Sequence, residues 1–206
     1  MNYSTLRDEQ LVKRYINGEE ACLELLISRH QQRIFGYIMM LVRNRTIAED
    51  IFQETFFKVV HTLKSGNYHE EGKFLPWVLR IAHNLGIDGF RVKEKMPTVS
   101  HVKRSKDDED VDIFSLLKLE DNCHEDAVTK REEHEELKRL ILRLPQEQRE
   151  VLIMRHYLDM SFKEISDAAN VNLNTALGRM RYALINLRKM AGESEVFGAQ
   201  GVSQYI

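Results

Sequence analysis

Apolar and polar residues recur at helical spacing through most of the chain, and this pattern predicts α-helices. Residues Asp8 to Ile16 form a short amphipathic segment that ends at Asn17-Gly18, and Glu19 to Val42 form a longer one. The three prolines stand where helices are expected to begin or end, so they leave the helix interiors unbroken. We therefore expect an all-α protein.

A third helix is predicted from Ile47 to Leu63, because Thr46 and Glu49 have the spacing of a capping box. Its buried stripe is expected to consist of Ile51, Thr55, Val59 and Leu63. The opposite face carries acidic and amide groups together with an aromatic ring: Asp50, Gln53, Glu54, Phe57 and His61. Core packing does not explain an aromatic ring among acids, so we favour a docking surface for another protein over an incidental exposed aromatic.

A fourth helix follows in the segment FLPWVLRIAHNLGIDGFRVKEK, where Pro76 suits a first helical turn. Aromatic, apolar and amide groups alternate here with cations, and the polar members are Arg80, His83, Asn84, Arg91 and Lys93. Proteins hold single-stranded nucleic acid by stacking and amide hydrogen bonds, with cations on the phosphates. For Trp77 and Ile81 we favour a place in the core. For Asn84, Arg80 and the cations from Arg91 to Lys95 we favour DNA.

The segment from Ser161 to Arg188 has the pattern of a helix-turn-helix. Ser161 and Glu164 form a capping box that starts a helix near Phe162, and Asn170 to Asn172 interrupt it as a short turn would. A second helix is predicted to begin near Asn174.

Two faces are distinguishable on that second helix. The inward positions are Ala176, Met180, Ala183 and Leu187, and the opposite side carries Thr175, Arg179, Tyr182, Asn186 and Lys189. A helix in the major groove presents its N-terminal residues to base edges and its cations to phosphates. The candidate DNA-contacting residues are Asn174, Thr175, Gly178, Arg179 and Arg181. A solvated basic face is the alternative.

Charge is distributed unevenly over the 206 residues, although the formal net charge is only −2. From Arg80 to Lys106 the local balance is +5, and from Asp107 to Glu136 it is −10. An acidic run between two patterned segments is typical of a solvated linker between domains. A chain of this length accommodates two small domains.

Several function classes receive no support. The two cysteines, Cys22 and Cys123, lack any C-x-x-C pairing, and His124 and His134 beside the second match no common metal-site spacing. P-loop, H-E-x-x-H and nucleophile-elbow motifs are absent. We therefore expect no metal, no cofactor and no catalysis. The sequence shows neither a membrane-spanning stretch nor a signal peptide, so we expect a cytoplasmic protein without direct membrane insertion.

Taken together, three motifs resemble those of the extracytoplasmic-function sigma factors, the small promoter-recognition subunits of bacterial RNA polymerase. DIFQETFFKVV is similar to the family's polymerase-clamp helix, and FLPWVLRIAHNLGIDGFR is similar to its promoter-melting helix. The segment from Leu144 to Leu184 is similar to its C-terminal domain. The resemblance implies a region 2 domain over residues 1–96, an acidic linker over 97–128, a region 4 domain over 129–191 and a tail over 192–206.

The resemblance also implies roles for individual residues. Asp50, Gln53, Glu54 and Phe57 would bind the clamp helices of core RNA polymerase. Asn84, together with the loop from Lys64 to Gly72, would lie near an extruded base of the minus-ten element, with Arg80, Arg91 and Lys93 near phosphates. The C-terminal candidates would read the minus-thirty-five element as duplex.

Other features of the resemblance concern regulation and specificity. The linker would either occupy the polymerase channel later used by RNA or serve only as a tether, and the two readings stand level. A membrane-anchored anti-sigma factor is an expected partner. Leu177 and Gly178 depart from the family pattern, in which a cation is often followed by serine, and Leu177 would either meet a thymine methyl or extend the core stripe.

Two other classes compete with this interpretation. An ordinary DNA-binding regulator would use the N-terminal half as a sensor or dimerisation domain, which has no need of a second nucleic-acid surface such as the helix from Trp77 to Lys95. A nucleic-acid-processing enzyme is the weakest alternative, because the metal-ligand and nucleophile patterns are missing.

Overall fold

The computed structural model describes residues 3, 5–68, 72–95 and 127–194, without the side chains of 89–95 and 127–131. Within this part of the chain there are eight α-helices and no strand, which confirms the all-α prediction. The helices are α1 (Asp8–Ile16), α2 (Ala21–Val42), α3 (Arg45–Lys64), α4 (Phe74–Lys95), α5 (Ala127–Arg143), α6 (Gln146–His156), α7 (Phe162–Ala168) and α8 (Leu173–Gly192).

The chain divides into two compact units, residues 1–118 and 119–206. Helices α1 to α4 belong to the first unit and α5 to α8 to the second. The predicted acidic linker lies outside the described residues except at its last two positions, and so does the C-terminal tail from residue 195 onward. The exact domain limits given above therefore stay predictions.

The first unit is a helical bundle in which α2, α3 and α4 pack against one another and α1 packs on α2. Its largest fully buried side chains are Leu11, Leu26, Ile34, Tyr37, Ile38, Met40, Leu63, Phe74 and Leu79. Helices α2 and α4 approach closely at Gly86, where an added Cβ would lie 3.3 Å from Leu41 Cδ1. A buried hydrogen bond between Tyr37 Oη and His83 Nδ1, 3.0 Å long, joins the same two helices.

Helix α1 is fastened to α2 through the carboxylate of Asp8. Its Oδ2 lies 2.6 Å from Nε2 of the buried His30, and its Oδ1 accepts a hydrogen bond from the guanidinium of Arg29. Burial alone would raise the pKa of Asp8, but the hydrogen bonds from His30 and Arg29 outweigh it and lower the pKa below 3.8. The first helix is therefore held by a charge-assisted contact in addition to its apolar face.

The start of α3 differs from the prediction. The capping residue is Asn44, whose Oδ1 accepts a hydrogen bond from the backbone N–H of Ile47 at 3.0 Å. The predicted Thr46–Glu49 capping box is wrong, since both residues lie inside the helix and Glu49 accepts from Arg45 Nε at 2.9 Å. An asparagine at the N-cap position accepts a hydrogen bond from the N–H three residues later as well as a threonine does. Sequence spacing alone therefore did not show that Asn44, and not Thr46, caps the helix.

In the second unit α8 is the central helix, and α5, α6 and α7 each pack against it. Arg149 at the buried side of α6 donates to the carbonyl oxygens of Leu142 (2.9 Å) and Leu144 (3.3 Å), which satisfies acceptors at the C-terminal end of α5. The predicted Ser161–Glu164 capping box is present in full at the start of α7. Helices α7 and α8 with their short turn thus form the predicted helix-turn-helix.

Candidate protein and nucleic-acid interfaces

The solvent-facing side of α3 carries the proposed protein-docking residues. The side chain of Phe57 is 69% exposed, and Asp50, Gln53, Glu54 and His61 are exposed as well. The predicted inward stripe is confirmed, because Ile51, Thr55, Val59 and Leu63 are all buried. One half of the helix is therefore anchored in the core and holds the acidic and aromatic half towards solvent.

The pair Phe56-Phe57 shows how α3 divides its aromatic residues. Phe56 is 8% exposed and packs against Phe52 with ring centroids 4.9 Å apart and the rings tilted by 59°, while Phe52 meets Phe35 of α2 edge to face at 5.8 Å. This cluster fixes the rotation of α3 against α2, because aromatic rings bury large apolar areas. Phe57 lies one residue further along the helix and outside the cluster.

Helix α4 exposes two of the predicted DNA-contacting residues, Arg80 and Asn84, one turn apart. The side chains of Arg91 and Lys93 lie outside the described residues, although both belong to α4. His83, a further polar residue of this segment, is 6% exposed and pairs with Tyr37, so it faces the core. The sequence around a mid-helix histidine does not indicate whether its side chain pairs with a buried tyrosine in the core or faces a ligand.

An aromatic pair stands at the N-terminal end of α4. The rings of Trp77 and Tyr68 lie 4.3 Å apart at 43°, and Trp77 also contacts Phe74 at 6.0 Å. Trp77, Ile81 and Leu85 are half-buried. The side chains of Trp77 and Ile81, which were predicted to lie in the core, are therefore only partly enclosed by it. The buried face of α4 is instead formed by Phe74, Leu75, Val78, Leu79 and Ala82. Residues 69–71 of the adjoining loop lie outside the described residues.

Helix α8 begins one residue earlier than predicted, with Asn172 as its cap. The Asn172 Oδ1 accepts a hydrogen bond from the backbone N–H of Thr175 at 2.7 Å. Asn174 and Arg181 are exposed, while Thr175 and Gly178 are half-buried. The inward stripe of Ala176, Met180, Ala183 and Leu187 is confirmed.

Arg179 and Asn186 lie on a flank of α8 that faces α6. Arg179 Nη2 is 3.2 Å from Glu147 Oε1 and its side chain is only 21% exposed, and Asn186 Nδ2 donates to Gln148 Oε1 at 2.8 Å. Helical periodicity placed these residues opposite the core but did not reveal that α6 runs beside them. The exposed surface of the first turns is instead formed by Leu173, Asn174, Leu177 and Arg181.

Beneath this flank lies a buried acid that the sequence analysis did not single out. Glu150 is 4% exposed and accepts a hydrogen bond from Gln146 Nε2 at 2.9 Å. Burial raises the pKa of Glu150 above 4.5, although the nearby positive charges of Arg179 and Arg149 counteract the rise. The acid therefore lies close enough to Arg179 of α8 for their charges to interact.

The comparisons with known proteins agree with this two-unit arrangement. Residues 26–96 match the Sigma-70 region 2 family, and residues 134–181 match the Sigma-70 region 4 family. The chain is 28% identical to the RNA polymerase sigma-H factor of Pseudomonas aeruginosa, covering 84% of this chain and 88% of that protein. It is 26% identical to the ECF RNA polymerase sigma factor SigW of Bacillus subtilis, covering 86% and 93%.

A solved structure shows the same fold. The structure of CnrH in complex with the cytosolic domain of CnrY covers 92% of this chain and 100% of its own, with a TM-score of 0.60 and 17% identity. None of the helices described is long and apolar enough to cross a membrane.

A region 2 unit followed by a region 4 unit with a helix-turn-helix defines a promoter-recognition protein of the sigma-70 class. The chain belongs to the extracytoplasmic-function family of RNA polymerase sigma factors within that class. It recognises promoters and directs transcription initiation together with RNA polymerase.

Proposed function

We propose that the exposed face of α3 is the surface by which this sigma factor binds core RNA polymerase. The observation that carries the proposal is the exposure of Phe57, 69%, on a helix whose other half is locked in the core. A large ring surrounded by the acidic and amide groups of Asp50, Gln53 and Glu54 supplies an apolar anchor with a charged rim. Interfaces concentrate their binding energy in such anchors.

We further propose that α4 contacts the minus-ten element after the strands separate. Arg80 and Asn84 are exposed one turn apart, and the Tyr68–Trp77 pair stands beside them at the start of the helix. An amide reads the edge of an unpaired base and a cation binds a phosphate. We extend the phosphate role to Arg91 and Lys93 from the family resemblance. Extracting a base costs a few kcal/mol of stacking, which a preformed pocket offsets at suitable sequences.

For the minus-thirty-five element we propose that the N-terminal turns of α8 enter the major groove of the duplex. Asn174 and Arg181 reach outward there, and the free backbone N–H groups of a helix start favour phosphate nearby. Thr175, Gly178 and Arg179 complete the proposed contact set. Arg179 uses one N–H towards Glu147, which leaves further donors of its guanidinium for a phosphate.

The remaining partners follow from the family. We propose that the protein acts in the cytoplasm without catalytic activity or cofactor, and that a membrane-anchored anti-sigma factor restrains it. The similar protein CnrH was solved with the cytosolic domain of CnrY, which supports a partner of this kind. The acidic linker is open to both the channel role and the tether role.

One experiment tests the central proposal. The purified full chain is mixed with bacterial core RNA polymerase at low salt, and binding and promoter-specific initiation are measured without any other initiation subunit. We expect a complex and initiation at a defined set of promoters, found by mapping transcript starts after overexpression. A chain that binds duplex DNA as a dimer and has no affinity for core polymerase would instead be an ordinary regulator.

A further inference from the structure

Helix α8 exposes two leucines at the end that is proposed to enter the groove. Leu173 is 45% exposed and Leu177 is 43% exposed, and they lie one helical turn apart. Leu177 therefore does not extend the core stripe, which runs through Ala176 and Met180. A single exposed leucine is ordinary, but two at a ligand-facing helix end form an apolar contact surface.

Gly178 lies next to Leu177 and has no packing role within the domain. A Cβ built at Gly178 would meet no heavy atom within 4 Å, and its backbone dihedral is that of an ordinary helix. Glycine in a helix interior is disfavoured relative to alanine, so neither internal packing nor backbone geometry accounts for it. What glycine does provide is a smooth patch of backbone on which a ligand can approach α8 closely.

The groups around this patch indicate the ligand. Asn174 and Arg181 are exposed on the same surface, and Arg188 is exposed two turns beyond. An amide and cations around an apolar centre complement the major groove, where phosphates flank the base edges. Among the four bases, thymine alone presents a methyl group in that groove.

We infer that Leu177 reads the 5-methyl group of a thymine in the upstream duplex element, with Gly178 allowing the backbone to approach closely enough for contact. The inference rests on the proposed role of α8 in the minus-thirty-five element and adds the base chemistry that it recognises. A helix of another protein and a second copy of this chain are the alternative occupants of the surface. The cations at Arg181 and Arg188 favour the polyanion.

The test removes the methyl group and nothing else. Holoenzyme formed from the full chain and core polymerase selects duplexes from a library randomised in the upstream element. Each thymine of the selected duplex is then replaced singly by deoxyuridine, and affinity is measured for the wild type, Leu177→Ala and Leu177→Gln. The matched control is Ile185→Ala, which truncates an apolar side chain that is similarly exposed, 46%, two turns further along α8.

We expect one thymine at which deoxyuridine weakens wild-type binding about fourfold, the factor that corresponds to about 0.8 kcal/mol for one buried methyl-sized group. At that position, replacing thymine with deoxyuridine should not change the affinity of either Leu177 variant. It should weaken binding by Ile185→Ala as much as it weakens binding by the wild type. Deoxyuridine penalties that are equal in the wild type and the Leu177 variants, or absent at every thymine, overturn the inference while the sigma-factor role stands. If the holoenzyme selects no upstream element, the proposed role of α8 fails and the inference fails with it.

Discussion

The guanidinium of Arg179 in α8 forms an ion pair with the carboxylate of Glu147 in the first turn of α6, with Nη2 and Oε1 3.2 Å apart. Only 21% of the Arg179 side chain is exposed, whereas 69% of Glu147 is. The exposed acid therefore occupies one N–H of the guanidinium that is proposed to contact a phosphate, and its negative charge opposes that phosphate. The pair sets the direction of the arginine before DNA is bound.

Replacing Glu147 with glutamine removes the carboxylate that pairs with Arg179. It also removes a negative charge close to the proposed DNA-binding surface. We expect Glu147→Gln to strengthen binding of the upstream duplex by a few-fold, since exposed pairs contribute roughly 0–1 kcal/mol. Fluorescence anisotropy with holoenzyme and a promoter duplex measures the effect. Glu193→Gln makes the same charge change at the far end of α8 and should have a smaller effect. Equal affinities in wild type and Glu147→Gln would show that the pair does not restrain Arg179.

Truncating Arg179 tests the proposed phosphate contact directly. Arg179→Ala should leave core polymerase binding intact and weaken the upstream duplex at all sequences alike. Because one phosphate contact is lost, the slope of log affinity against log salt should fall by about one. A loss confined to particular base sequences would reassign Arg179 to base reading. Equal losses in the core-binding and duplex assays would contradict the division of labour between the two domains.

Phe57 should act only through core polymerase. Its side chain is 69% exposed, so Phe57→Ala should leave the melting temperature of the protein nearly unchanged. We expect core binding to weaken by about 2 kcal/mol, roughly 30-fold, as for an aromatic anchor. Ile16→Ala, which truncates a 47% exposed residue on α1, is the control. Matching losses for both variants would argue that general apolar exposure, and not this site, governs the interaction.

Gly178 offers a test in which stability and binding change in opposite directions. An added Cβ meets nothing within 4 Å, so Gly178→Ala should stabilise the C-terminal domain by about 1 kcal/mol and raise its melting temperature by several degrees. The same methyl group would stand between the helix and the DNA and should weaken upstream-duplex binding about fivefold, roughly 1 kcal/mol.

The control for Gly178 is Gly192→Ala at the last position of α8, where an added Cβ also meets nothing within 4 Å. It should not affect duplex binding. If Gly178→Ala is stabilised and binds as well as the wild type, then the helix does not approach DNA closely at this position.

Glu150 predicts a specific dependence of stability on pH. Burial raises its pKa above 4.5, so the folded domain holds this proton more tightly than the unfolded chain does. The contribution of Glu150 to stability therefore declines as the pH rises from 4.5 through the folded-state pKa. Glu150→Gln should raise the melting temperature relative to wild type at neutral pH, and this gain should disappear below pH 4.5.

Calorimetry over that pH range measures the gain, and Glu193→Gln is the control because Glu193 is exposed at the far end of α8. A gain of the same size at every pH would mean that packing, and not ionisation, limits stability at Glu150.

The sequence by itself determined the helices and the direction of their apolar faces. The stripe of α3 and that of α8 follow from a period of 3.6 residues, and the Ser161–Glu164 box follows from spacing within four residues. These features depend on local geometry, so a short segment of the sequence is enough to predict them. The exposure of Phe57 was predictable for the same reason, whereas the family was predictable from three motifs and their order along the chain.

Only the tertiary structure decided which neighbour each flank of a helix meets. His83 faces the core because it hydrogen-bonds to Tyr37 of α2. Arg179 lies against α6 because it forms an ion pair with Glu147. The exposure of Leu177 and the empty space around Gly178 likewise depend on where the other helices of the domain run. Such contacts join residues far apart in sequence, and periodicity along one helix carries no information about the position of another.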